Sequence, residues 1–190
     1  LSLMQERKII QQSRSFKDLD RTLKRLIKNK KAKLAGSIFE YLTKLFLEVS
    51  PEYKTKLRKV YLLNEIPTAI KRKLKLPNTD EGIDLIAETF DNEYWAIQCK
   101  YRSDKTETLK VKGDLATFNN LAFTFCKNIS HGLIAATVNR PPQKKQLLNV
   151  GYILLNEWLK LDRKGGELFE QIKAKAVGKI LKPKKLNPRP

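Results

Sequence analysis

Apolar residues recur at helical spacing through the first fifty positions. Residues 3–12 read as a short helix, and residues 15–31 as a second one. In that second stretch Leu19, Leu23, Leu26 and Ile27 share a face while lysines and arginines cover the other. Ser15 is the expected N-cap, with Asp18 three residues on in the manner of a capping box. A third helix is expected from Gly36-Ser37 to about Glu48, carrying a broad stripe of Ile38, Phe39, Leu42, Leu45 and Phe46; Ser50-Pro51 ends it. The period then changes. Lys59 to Leu63 reads as a buried strand, Pro67 opens a helix from Thr68 to about Lys75, and Pro77-Asn78 turns the chain. Ile83 to Phe90 and Glu93 to Tyr101 read as a hairpin joined at Asp91-Asn92, followed by a polar loop over 102–110. Helical spacing returns over 111–127, then Gly132 to Thr137 forms a short apolar run expected to be a buried strand. Pro141-Pro142 starts a helix to about Asn149, Tyr152 to Leu155 is a further strand, and 157–161 and 167–181 are helical across Gly165-Gly166.

Helices followed by strands mixed with helices predict a three-layer α/β core with a helical entry. Composition gives that core a partner. The chain has 190 residues, 39 Lys+Arg against 20 Asp+Glu, and a formal net charge of +19. Residues 1–35 hold eleven bases against three acids and residues 160–190 ten against three, whereas residues 80–93 hold six acids and no base. Basic flanks around an acidic centre suit a protein that grips phosphates broadly and holds cations locally, so nucleic acid is the expected partner. No apolar run is long enough to cross a bilayer, and the first residues lack the layout of a secretory signal, so a cytoplasmic place and no membrane partner are expected. Two cysteines, Cys99 and Cys126, make neither a disulfide framework nor a zinc spacing, and the lone His131 has no ligand partner. No Gly-rich phosphate loop occurs, so nucleotide hydrolysis by this piece is not expected.

The candidate chemistry lies in Gly82-Ile83-Asp84 and Ile97-Gln98-Cys99-Lys100-Tyr101. Alternate side chains of a strand share a face, so Gln98 and Lys100 project together while Ile97 and Cys99 face the opposite layer. A turn at Asp91-Asn92 is expected to bring Asp84 close to the level of Lys100. Burying an acid and a lysine among apolar neighbours costs several kcal/mol, about 3–5 if either is left unpaired, unless a partner or a metal compensates. Mg²⁺ takes hard oxygen ligands, and Asp84 offers a carboxylate and Gln98 an amide oxygen. Lys100 cannot bind the metal but can orient a water and offset charge at a phosphoryl transition state. The bland alternative is a surface aspartate beside a lysine whose stem covers the sheet edge.

Asp84 followed by Gln98-Cys99-Lys100-Tyr101 resembles the PD-(D/E)xK nuclease superfamily in its Mrr-like restriction endonuclease branch. Gly36-Ser37-Ile38-Phe39-Glu40 resembles the helical glutamate that precedes the motif there, and the likeness runs from about residue 34 to 157. It implies a restriction-endonuclease-like fold, with a central mixed sheet flanked by helices, and Mg²⁺-dependent hydrolysis of DNA, with Mn²⁺ able to substitute. It also implies roles: Asp84 as central metal ligand, Gln98 as second ligand, Lys100 as catalytic lysine, Glu40 as an acid binding or flanking the metal, and the Cys99 carbonyl as a further metal contact. Asp80 is expected to be a turn residue. Asp114, Thr137 and Arg140 either line a DNA cleft or serve as caps and surface residues.

The expected organisation is a basic helical extension over 1–33, a nuclease core over 34–160 and a basic helix and linker over 161–190. The ending Lys182-Pro183-Lys184-Lys185-Leu186-Asn187-Pro188-Arg189-Pro190 resembles the approach to the first motif of a superfamily 2 helicase. That likeness implies the cleavage module of a larger, Type ISP-like restriction enzyme, with fused motor and methyltransferase parts and transient nuclease–nuclease pairing. A coincidental basic tail is the alternative. Two other functions stay open at this point: a Holliday junction resolvase-like nuclease, and a catalytically silent DNA-binding module of the same fold.

Overall fold

The structure is a computed structural model and describes residues 3–78, 82–142 and 149–178. The entry helices are α1 (Met4–Gln12), α2 (Phe16–Lys28) and α3 (Ala32–Val49), with a single turn α4 (Pro51–Lys54) after them. The sheet follows as β1 (Leu57–Leu62), β2 (Leu85–Thr89), β3 (Tyr94–Lys100), β4 (Ile129–Ala136) and β5 (Val150–Ile153), in that spatial order. β1, β2 and β3 pair antiparallel, whereas β3, β4 and β5 pair parallel. Helix α5 (Thr68–Leu74) connects β1 to β2, and a helical segment over Val111–Phe125, with α6 (Ala116–Asn120) at its centre, connects β3 to β4. Helices α7 (Leu155–Leu159) and α8 (Glu167–Ala176) end the described chain. This is the mixed sheet between helical layers expected of a restriction-endonuclease-like fold.

Each face of the sheet has its own core. On one side Leu85, Ala87, Ile97, Leu133, Ala135 and Ile153 pack beneath α1, α2, α3, α7 and α8. On the other, Ile86, Ala96, Ile134 and Ala136 pack beneath α5 and the 111–125 segment. Successive strand residues enter opposite cores, the period of two that separates Ile97 from Gln98. Close approach on the second side depends on Gly132, where a Cβ would lie 3.1 Å from the Phe118 ring.

The basic N-terminal stretch is built into the first core. Phe16, Leu19 and Leu23 of α2 are almost fully buried, each worth about 1.5–3 kcal/mol relative to exposure. Phe16 stacks on Trp158, which also meets Phe39 and Phe46. The Trp158 indole N–H donates to the carbonyl of Ala136 at 3.1 Å, tying α7 to the end of β4. The start of α2 is capped twice. Ser15 Oγ accepts the Asp18 N–H at 3.1 Å, as the sequence pattern indicates. The Asp162 carboxylate, 146 residues away in sequence, accepts the N–H groups of Phe16 and Lys17 at 2.6 and 3.0 Å.

Several expected boundaries shift, with β1 starting at Leu57 and β4 at Ile129, two and three residues before the expected strands. Helix α3 begins at Ala32 rather than Gly36, because Lys30 takes a left-handed conformation that closes α2 and a new helix starts at once. Lys31 precedes it with no capping side chain, so no residue type marks the start. Strand β5 begins and ends two residues before the expected strand, and Leu155 opens α7. In the hairpin, Phe90, Asp91 and Asn92 form a three-residue loop with Asn92 at φ 60, closed by the Thr89 N–H on the Glu93 carbonyl at 2.9 Å. Most of the expected helix over 141–149, the end of the last helix and the 182–190 tail lie outside the described residues.

Candidate active site

The hairpin loop sets the site's register. Leu85 pairs with Ile97, so Asp84, one residue before β2, stands opposite Gln98 and not at the level of Lys100. The extra loop residue moves the position opposite Asp84 by one, from Cys99 to Gln98, so a two-residue turn would also have left Asp84 one residue short of Lys100. The Asp84 N–H still donates to the Ile97 carbonyl at 2.9 Å, and its Oδ2 accepts the Cys99 N–H at 2.7 Å. That second bond fixes the carboxylate at the point where β2 begins and β3 nears its end.

Gln98 is 4% exposed and faces the second core, on the same side of β3 as Lys100. Its amide nitrogen lies 3.4 Å from where a Gly82 Cβ would be, with the Phe118 N–H and Thr117 methyl just beyond. Gly82 has φ +114, a conformation open to glycine alone in practice, so glycine is required there by the backbone turn into β2. The Gln98 Oε1 is buried and has no hydrogen-bond partner among the described residues. A buried amide oxygen without a donor costs about 1–3 kcal/mol, and native proteins seldom retain one without use.

Glu40 and Cys99 complete the group from the opposite face. Burial pushes the Cys99 thiol well up, reinforced by the Asp84 carboxylate, opposed by its hydrogen bond with Thr43, reinforced by Glu40 and opposed by Lys100. Glu40 of α3, Asp84 and Lys100 thus all lie near enough to act on the charge of the Cys99 thiol. Asp84, Glu40 and Lys100 are all half-buried. Among the described residues no three His, Cys, Asp or Glu side chains cluster as a metal site. The oxygens offered are therefore mixed in kind, with the unpartnered Gln98 amide oxygen facing the Asp84 strand position. This donor set fits a hard cation such as Mg²⁺, which accepts few protein oxygens and completes its shell with water and phosphate.

The remaining candidates divide. Thr137 is fully buried, and its hydroxyl accepts the Arg102 N–H at 2.8 Å and donates to the Arg102 carbonyl at 3.0 Å, so it braces the chain after β3. Arg140 is exposed and its backbone pairs with Thr108. Asp80 and the Asp114 side chain lie outside what is described. A groove of about 640 Å³ beside α6, lined by Lys75, Pro77, Thr117, Asn120 and Phe125 among others, contains none of the four candidates. Sequence reasoning missed Asp20 and Lys105, which meet Tyr101 directly behind Lys100; the face-alternation that points Tyr101 away from Lys100 is the one local sign of it.

A family model described as restriction endonuclease matches residues 48–152, more than half of the chain. The chain belongs to the Mrr-type restriction endonuclease family. Asp84, Gln98 and Lys100 fall within the matched stretch, while Glu40 precedes it. Among solved structures, the ATP-dependent Type ISP restriction-modification enzyme LlaBIII bound to DNA is similar at 22% identity and a TM-score of 0.49. The match covers 76% of this chain and 8% of that one. Comparison with curated proteins finds no match. Membership of this family makes the domain a nuclease module.

Proposed function

We propose that this domain hydrolyses DNA phosphodiesters with a divalent cation, Mg²⁺ or Mn²⁺, at a site formed by Asp84, Gln98 and Lys100 and flanked by Glu40. The observation that carries the reading is the buried, unpartnered Oε1 of Gln98 opposite Asp84, two residues from a lysine on the same face. The Asp84 carboxylate, the Gln98 amide oxygen and the Cys99 carbonyl would hold the cation, with Glu40 as a further acid. When bound, the cation polarises the phosphoryl oxygen and lowers the pKa of a water. Lys100 orients the attacking water and offsets the charge that grows on the phosphoryl oxygens. The Cys99 N–H keeps the Asp84 carboxylate directed at the site.

DNA would be gripped mainly through phosphates. Lys17, Arg21, Lys24, Arg25 and Lys28 of α2 are exposed on the side opposite its buried stripe, and this supports residues 1–33 as a phosphate-binding flank of a 34–160 core. The basic 161–190 end, with its likeness to a helicase approach, supports a larger enzyme with a fused motor and methyltransferase and transient pairing of nuclease domains. A sequence with only two cysteines, which form no disulfide, supports a cytoplasmic setting, and no described helix is long and apolar enough to cross a membrane.

Plasmid nicking by the chain in Mg²⁺ and in Mn²⁺, beside Asp84→Asn and Lys100→Ala, tests the assignment. Metal-dependent nicking lost in both variants is expected. DNA binding without nicking in either metal would overturn it in favour of a silent binding module, and strong preference for four-way junctions in favour of a resolvase.

A further inference from the structure

Strand β3 ends at Lys100, and beyond it the chain is held from the sheet side by the Thr137 hydroxyl on Arg102 and from the helical side by Tyr101. The last inter-strand bond, from the Thr137 N–H to the Lys100 carbonyl, is 3.3 Å long. Tyr101 follows, pointing into the helical layer while Lys100 points to the other face. Its hydroxyl donates to Asp20 Oδ1 at 2.7 Å, and its ring lies edge-on to Phe39 at 5.8 Å. Lys105, in the loop that follows, donates to the same Asp20 oxygen at 2.6 Å and to the Arg102 carbonyl at 2.7 Å. Its ammonium also lies 4.4 Å from the centre of the Tyr101 ring. Lys24 of α2 pairs with the other Asp20 oxygen at 3.3 Å.

We propose that Asp20, Tyr101 and Lys105 are positioning residues for Lys100, a latch that fastens the end of β3 to the basic helix α2 and so fixes the catalytic lysine from behind. The inference rests on the nuclease reading of Lys100. Asp20 is 8% exposed, and a carboxylate so placed is tolerable only with its charge matched and its oxygens hydrogen-bonded. Two donors, from the residue after Lys100 and from the following loop, and an ion-paired lysine of α2 itself converge on it. Burial raises the Tyr101 hydroxyl far above its ordinary range, with the Asp20 hydrogen bond and charge adding to this, so it stays a donor throughout the working pH range. Burial lowers the Lys105 ammonium, and its bond to Asp20 opposes that shift. Because α2 also presents the exposed bases, the helix expected to grip phosphates and the strand that bears the lysine move as one body. A displacement of about 1 Å in a reacting group can cost on the order of a hundredfold in rate, so a fastening at this residue is worth having.

The test compares the full chain with Tyr101→Phe, Asp20→Asn and, as a stability control, Asp162→Ala, which removes the N-terminal cap of α2 one turn before Asp20 and leaves the latch's own bonds in place. Two quantities are read: hydrogen exchange of the segment 96–104, and kcat and KM for metal-dependent DNA cleavage. Tyr101→Phe and Asp20→Asn should each raise local exchange and lower kcat about tenfold, with KM within about twofold. Asp162→Ala should leave kcat near that of the parent chain. Unchanged exchange in Tyr101→Phe would overturn the latch, as would an equal fall of kcat in all three variants. An inactive parent chain whose exchange still responds to Tyr101→Phe would show the latch present and the nuclease reading at fault.

Discussion

Replacing Gln98 by methionine separates a functional from a structural reading of this buried amide. The substitution keeps the length of the side chain and removes an oxygen that has no donor among the described residues. If the amide is held for a cation, the folded chain without metal bears its desolvation cost, about 1–3 kcal/mol. Gln98→Met should recover it, raising Tm in EDTA by roughly 2–12 °C for a domain of this size. Addition of Mg²⁺ should then reverse the comparison. At about a hundred times its Kd, a ligand that binds only the folded state stabilises by about 2.7 kcal/mol, a gain open to the parent chain and largely closed to the variant. Thermal unfolding of both proteins in EDTA and across a Mg²⁺ titration gives all four values. A variant less stable than the parent in EDTA would make Gln98 a structural strut. Equal stabilisation of both by Mg²⁺ would place the cation elsewhere.

Gln98→Glu adds a second carboxylate opposite Asp84, so it should destabilise the metal-free chain at neutral pH and bind Mg²⁺ more tightly, checked by calorimetric titration and unfolding in EDTA. Its penalty should fade below about pH 4, where a carboxyl with a raised folded pKa is protonated in both states. Asp162→Ala exposes two helix-start N–H groups and should cost about 1–2 kcal/mol in denaturant unfolding. His131 is the chain's one histidine, and burial followed by the nearby Lys56 charge lowers it, so its NMR titration midpoint should fall below 6.5. A depressed histidine contributes stability above its unfolded pKa that is lost as pH falls through the folded one, so stability should decline below pH 6.5 by this route. DNA affinity should drop steeply between low and moderate salt, and replacing Lys17, Arg21 and Arg25 together should flatten that slope by about three; a slope unchanged by the triple substitution would move the phosphate grip off α2.

Much of the candidate site's arrangement on β3 was legible from residues alone, because its logic is local. A strand has period two, so Gln98 and Lys100 had to share a face and Cys99 had to oppose them, whatever the strand packed against. The amphipathic stripe of α2 and its Ser15 cap are equally local, set by spacings of three and four residues. The basic ends and the acidic centre follow from composition. What tertiary structure decided lies wherever the deciding partner is distant or carries no signature. Asn92 in a left-handed conformation lengthened the hairpin loop and moved Asp84 opposite Gln98, a choice that neighbouring strands must accept as a whole. Helix α3 began early with no capping residue, since the burial of Ala35, Ile38 and Phe39 replaces the local start signal. Asp162 reached α2 across 146 residues, and Tyr101 reached Asp20 across 81. Such contacts depend on how finished layers dock, and docking is fixed by the joint packing of two cores and not by any one segment's pattern.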